Sequence, residues 1–212
     1  MLTMLRQIFN LAKAGIYAND IIIVFRHEMQ TRQKSSAKVF CATEKDLPDI
    51  LSFRSQQYTG RLAKLYHLEK FKNVFREDDI RRSWSKGDLV FLAHLNGMCV
   101  SRCWVRCGPQ TVFLQFPFLR MNLGVNEAFV LYEETIPEAR GKNIMPHVLS
   151  WASRALEKKG FSVYCSVQER NVPAVRASIK AGFIQVQRIR FIGFLWISVK
   201  KSLEQQAWPV GH

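Results

Sequence analysis

The chain of 212 residues predicts an α+β fold, a mixed sheet with helices packed on it. Three observations carry that expectation. From Glu127 to Phe183 the sequence reads strand, turn, helix, strand, helix: the apolar run Ala128 to Ile136, the turn Pro137 to Met145, a helical pattern from 146 to 159 closed by Gly160, a strand from Ser162 to Val167, and a short helix from Asn171 to Gly182. Upstream, Leu89 to Leu95 and Met98 to Cys107 flank Asn96-Gly97, whose two positions tolerate the positive φ of a tight hairpin, so these strands are antiparallel. The composition, 48% apolar, can bury a proper core, and no apolar run approaches the roughly 20 residues of a membrane span.

In chain order, Leu2, Leu5, Ile8, Phe9 and Ala12 recur at helical spacing within residues 1–14. A helix there docks on the domain or, as the second reading, makes peripheral contact with a membrane or partner through residues 1–14, which ranks second because just two basic residues, Arg6 and Lys13, sit in the helix. Gly15 can end it, and Ile21 to Phe25 follows as a buried strand. The polar, basic run Gln30 to Lys38 divides an N-terminal helix-strand extension, 1–38, from a domain, 39–212. Val39 to Ala42 opens the domain as a strand. Thr43 and Asp46 then have the spacing of an N-terminal cap, for a helix continuing through Ile50, Leu51 and Phe53. Arg61 to Lys72 carries a second apolar stripe, and Glu77 to Lys86 a short helix ended by Gly87-Asp88. Thr111 to Leu119 is β-rich; Pro117 removes a ladder donor and places it at an edge or bulge.

The residues Pro137-Glu138-Ala139-Arg140-Gly141-Lys142-Asn143-Ile144-Met145 resemble the acetyl-CoA-binding signature of the GCN5-related N-acetyltransferase (GNAT) superfamily: Arg or Gln, two residues, Gly, one residue, then Gly or Ala. Arg140, Gly141, Lys142 and Ile144 match, while Asn143 and Met145 replace the two closing glycines. Asn171-Val172-Pro173-Ala174, ending in Lys180-Ala181-Gly182-Phe183, resembles the family's Asn-x-x-Ala and Lys-x-Gly-Phe motif, with Ser178 where many members have Tyr. The resemblance implies a central, mostly antiparallel twisted sheet flanked by helices. It also implies an acyl-CoA-dependent N-acyltransferase, with acetyl-CoA or another acyl-CoA as co-substrate and no metal, that acts on a small-molecule or peptide amine. The alternative is a CoA-binding or scaffolding protein with little activity. Cofactor contacts would fall on Thr135, Ile136, Arg140, Gly141, Lys142, Asn143, Ile144, Met145 and Asn171, and the early helical region would form one wall of the acceptor site; its basic residues read first as a solvated face, with an anionic acceptor beside Arg61, Lys64 and Lys70 as the second reading.

Physical chemistry supports that placement independently. The first N–H groups of a helix lack intrahelical partners and its dipole puts partial positive charge there, so Arg140, Lys142 and the N–H groups of Gly141 to Met145 surround a volume fit for a pyrophosphate. A side chain at Asn143 or Met145 can obstruct close backbone approach or force another loop shape, although Asn tolerates left-handed geometry better than most residues and can itself cap a helix. A general base needs a carboxylate or imidazole, and Glu133 and Glu134, adjacent in a strand, point to opposite faces. Simple alternation groups Glu133 with Leu131 and Thr135, and Glu134 with Tyr132 and Val130; the polar neighbour Tyr132 favours Glu134. Serine is a poor proton donor, so either Tyr164 or water replaces the phenol that the resemblance implies at Ser178, or turnover is slow.

A net charge of +14 predicts attraction to polyanions. Nucleic acid rests on that charge alone, with no aromatic-interleaved basic motif, and is not expected as a specific partner. Five cysteines, an odd number, argue against a disulfide framework, and a cytoplasmic protein is the default. Cys99, Cys103 and Cys107 repeat every fourth residue, but four strand residues span roughly 13 Å, too far for neighbouring metal ligands, so they read as one strand face.

Overall fold

The computed structural model describes residues 18–28, 34–52, 77–114, 119–194 and 197–203. The stripes in 1–14 and 61–72, and Phe53 and Pro117, lie outside the described residues. Among the described residues the strands are β1 (Ala18–His27), β2 (Lys38–Cys41), β3 (Leu89–Leu95), β4 (Met98–Cys107), β5 (Thr111–Phe113), β6 (Arg120–Asn122), β7 (Glu127–Thr135), β8 (Ser162–Gln168), β9 (Phe183–Phe194) and β10 (Ile197–Leu203). The α-helices among the described residues are α1 (Leu47–Ser52), α2 (Glu77–Ser85), α3 (Ile144–Glu157) and α4 (Val172–Ala181). Eight strands form one sheet in the order β10-β9-β1-β8-β7-β4-β3-β2, and β5-β6 is a separate ribbon. Among the described strands of the large sheet, β7 and β8 alone are parallel, so the expected mostly antiparallel mixed sheet is what forms.

Each face of the sheet carries its own core. Ile23, Phe25, Phe91, Cys103, Val105, Val130, Val163 and Cys165 meet Val148, Leu149, Ala152 and Leu156 of α3 and Val175 of α4. On the opposite face Val90, Leu92 and Trp104 meet Leu47 and Ile50 of α1 and Ile80 of α2, while Ile22, Val24, Phe129, Ile189 and Phe191 lie under the β5-β6 region. The turn Asn96-Gly97 has φ of 52° and 80°, the mirror-image geometry that suits a two-residue hairpin. Thr43 closes the expected cap: its N–H and hydroxyl both donate to Asp46 Oδ2. α4 is built as its residues dictate, with Asn171 Oδ1 accepting from the Ala174 N–H at 3.4 Å and Gly182 ending the helix at φ 100°.

Three features depart from simple pattern. β1 lies within the sheet, paired with β8 on one side and β9 on the other, although the sequence assigns it to an extension before residue 38. His27 at its end sits between the two main helices, Nδ1 being 2.5 Å from Glu157 Oε1 and Nε2 3.1 Å from the Ala181 carbonyl oxygen. Second, Thr111 to Leu119 splits: its start pairs with residues 120–122, away from the main sheet. Third, an extra residue at Val100 shifts the β3-β4 register, so Cys99 leaves the face of Cys103 and Cys107 and packs on the α1-α2 side. Beyond the expected elements come β9 and β10. Among the described residues, no helix is long and apolar enough to cross a membrane.

Candidate active site

The parallel ladder between β7 and β8 covers just three positions, Glu127–Ser162, Ala128–Val163 and Phe129–Tyr164. Past them β7 continues to Thr135 along β4, and β8 continues to Gln168 along β1. The strands therefore part, and the facing edges of residues 130–135 and 165–168 bound a wedge. β7 is bent there by a bulge: Trp104 pairs with Leu131 and Cys103 with Glu133, leaving Tyr132 as the extra residue at φ 26°. Among the described residues no strand is laddered between the parted edges, and parted strand edges can offer backbone N–H and C=O groups to an extended ligand carrying amides.

At the end of β7 the chain makes a short 3₁₀ turn, Pro137–Ala139, and enters α3. Gly141 (φ 78°) and Asn143 (φ 55°) both take left-handed backbone, and a Cβ at Gly141 would meet nothing within 4 Å. Asn143 thus holds without glycine the geometry that the sequence left in doubt, and is itself the N-cap residue of α3. The helix starts at Ile144, two residues before the expected start, so the N–H groups of Ile144 and Met145 occupy its first turn while Pro146 contributes none. Arg140 Nε donates to the Thr135 carbonyl at 3.1 Å, tying the turn to the strand end, and Lys180 Nζ donates to Asn143 Oδ1 at 3.3 Å. Lys180 is thereby a third cation at the turn with Arg140 and Lys142. Its motif was legible in the sequence; its reach from α4 to α3 was not. The turn accordingly fits a pyrophosphate: open space, first-turn donors and three cations.

The bulge reassigns the two carboxylates. Glu133 stands opposite Cys103 on the α3-α4 face, which it shares with Val130 rather than Leu131, and Glu134 stands opposite Arg102 on the other face with Leu131 and Tyr132. Glu134 is 3% exposed and accepts from Arg102 Nε at 2.7 Å and from Arg102 Nη2, while Arg102 Nη1 donates to the Ile50 carbonyl at 3.2 Å. Glu133 is partly buried, and burial pushes its carboxyl up to about 7. Its charge is felt by Cys103 on β4 and Cys165 on β8, whose thiols burial raises well above their usual value. Ser178 is fully buried on α4, its hydroxyl donating to the Ala174 carbonyl at 3.1 Å and lying 3.8 Å from Cys165 Sγ. Tyr164 packs with Phe129 and Val24 on the opposite face, away from Ser178. The structure thus brings Glu133, Cys165 and Ser178 together and separates both Glu134 and Tyr164 from them. Asn171 lies at the head of α4 with its side chain engaged in the cap. Among the described residues, no group of three or more His, Cys, Asp or Glu gathers as a metal site would.

No family model and no curated protein matches the sequence. The fold does match solved structures. An acetyltransferase of the GNAT family from Colwellia psychrerythraea superposes with a TM-score of 0.54 at 14% identity, over 91% of this chain and 72% of that one. A GCN5-related N-acetyltransferase-like protein from Streptococcus suis 89/1591 does so with a TM-score of 0.56 at 8% identity, over 89% and 66%. Helices on both faces of a mixed, open sheet define the class, an α+β fold. Within it the chain has the fold of the GNAT acetyltransferases, in a divergent form.

Proposed function

We propose that the protein is an acyl-CoA-dependent N-acyltransferase, using acetyl-CoA and transferring the acyl group directly to an amine. The observation that carries this reading is the parting of β7 and β8 with a cationic, left-handed turn at the wedge's end. The turn 140–145 would hold the pyrophosphate, with Arg140, Lys142 and Lys180 offsetting its charge. The edge of β7 through Thr135 and Ile136 would pair with the pantetheine amides, and the thioester would lie against the bulge at Tyr132. Asn171 contributes by holding α4 in register beside the wedge. Glu134, closed into its pair with Arg102, fixes the bulged strand against α1; Glu133, able to carry a proton near neutrality, is the carboxyl group suited to proton transfer. A primary amine on a small metabolite or peptide is the acceptor class.

A second reading, a CoA-binding protein with little catalysis, is favoured by Ser178, whose hydroxyl is spent on Ala174 and offers no phenol. Isothermal titration with acetyl-CoA tests the common ground of both readings. Binding is expected, and Arg140→Ala should weaken it by about 1.5–3 kcal/mol, the range for a charge-assisted hydrogen bond. No binding of any acyl-CoA by the native protein overturns both.

A further inference from the structure

We infer that His27 is a proton-held latch: as an imidazolium it ties the end of β1 to the C-terminal ends of α3 and α4, and the fold loosens there as the pH rises. The inference stands apart from the acyl-CoA reading.

Three elements end at this ring, β1 with His27 itself, α3 with Glu157 and α4 with Ala181. The His27 side chain is 1% exposed, and the Phe183 ring of β9 meets it edge-on with centroids 5.1 Å apart. Nδ1 lies 2.5 Å from Glu157 Oε1, and Nε2 lies 3.1 Å from the Ala181 carbonyl oxygen. A neutral imidazole carries one N–H and one bare nitrogen. A carbonyl oxygen accepts and never donates, so Nε2 carries a proton. A neutral ring would then turn the bare lone pair of Nδ1 on the carboxylate. The Glu157 side chain is 36% exposed, and a carboxylate open to water keeps its charge readily. The second proton therefore belongs on the ring, and both nitrogens donate.

The helix ends favour the same form. The last carbonyls of a helix lack intrahelical donors and carry partial negative charge, which favours a cation beside them. His27 faces two such ends at once.

The charged neighbours among the described residues are engaged with one another or lie at the surface. On β1, Arg26 and Glu28 pair with each other. On α3, Arg154 Nε donates to the Ser150 carbonyl, and Lys158 and Lys159 beyond Glu157 are exposed. On α4, Lys180 reaches Asn143. On β8, Tyr164 stands opposite Arg26, and on β9 the residue opposite His27 is the uncharged Phe183.

Loss of the second ring proton turns one of the two contacts into a meeting of lone pairs, in a place where a buried acceptor has lost its donor. Lys180 precedes Ala181, so the turn of α4 held by the latch is also the one that reaches the head of α3.

The imidazole of an unfolded chain is mostly neutral above about pH 6.5. A native state that keeps both ring protons takes one up as it folds, so its folding constant falls about tenfold per pH unit in that range. The contribution is full at acid pH and is lost on the alkaline side.

Nitrogen-15 spectra of the histidine rings in the full chain at pH 7 read the protonation directly, the His27 signals being identified by their loss in His27→Gln. Both ring nitrogens should carry protons; a bare nitrogen overturns the latch. Glu157→Gln identifies the same signals if His27→Gln does not fold, because removing the carboxylate at Nδ1 must move them; signals that stay unmoved also overturn it. Urea unfolding of the native chain and His27→Gln from pH 6 to 8.5 gives the second measure, in which Glu133 is common to both chains and cancels. The folding constant of the native chain relative to His27→Gln should drop by roughly tenfold or more across that range. Parallel pH curves for the two chains overturn the proposal.

Discussion

Glu133 and Glu134 are joined by one peptide bond and meet opposite electrostatic surroundings. Glu134 is paired, so removing its partner in Arg102→Ala strands a buried charge. The expected cost is about 3–5 kcal/mol, read as a lower urea midpoint at pH 7. For Glu133 the folded carboxyl is raised from 4.5 to about 7, so its favourable contribution is complete below pH 4.5 and is lost as pH rises through 7. Glu133→Gln should therefore gain on the native chain between pH 5 and pH 8, by up to about 3 kcal/mol, in urea unfolding at the two pH values. The opposition of the two side chains was legible from strand alternation. Which neighbours each would have was not, because a single extra residue at Tyr132 resets the alternation and no glycine marks it.

The entry to α3 is the element on which the proposed ligand binding would depend, and its sequence reads almost as it folds. Pro146, Gly160 and the basic residues of the turn announced a helix with an anion-binding start; the missing glycines left its loop shape open. The structure settles that shape through Asn143 at φ 55°. Asn143→Gly should keep the turn and acetyl-CoA affinity, whereas Asn143→Ala should cost about 1–2 kcal/mol of stability, compared by chemical denaturation. Equal effects of the two would show that the Lys180 contact, rather than backbone geometry, holds the turn. The hairpin 89–107 and α4 were similarly legible from local chemistry. β5 and β6 were not: paired segments of three residues are too short for periodicity to show. β9 carries the alternation Arg188-Ile189-Arg190-Phe191, a readable strand pattern, but nothing local tells that its neighbour is β1.

At the scale of the whole molecule, strand order decides more than any motif. Long-range pairing is set by the complete set of apolar faces, which is why the sequence locates a strand at Ile21 to Phe25 and then places it outside the domain. Ile22, Ile23 and Phe25 are fully buried, on both faces of the sheet. Ile23→Ala should cost about 2–5 kcal/mol in cooperative unfolding. Removing residues 1–28 should abolish that transition altogether; a truncated chain that still melts cooperatively would show that β8 and β9 can close on each other.

That central strand also sets a timetable. Phe25 finds its partner in Cys165, and Ala18 finds Gly193, so this apolar segment stays without its neighbours on the ribosome until the strands at 162–168 and 183–194 have been synthesised. Contacts so distant in sequence slow folding, and an unpaired Ile-Ile-Ile-Val-Phe segment is the composition from which intermolecular strands form. Yield of this protein during expression should depend more on temperature and chaperone supply than on the stability of the finished fold.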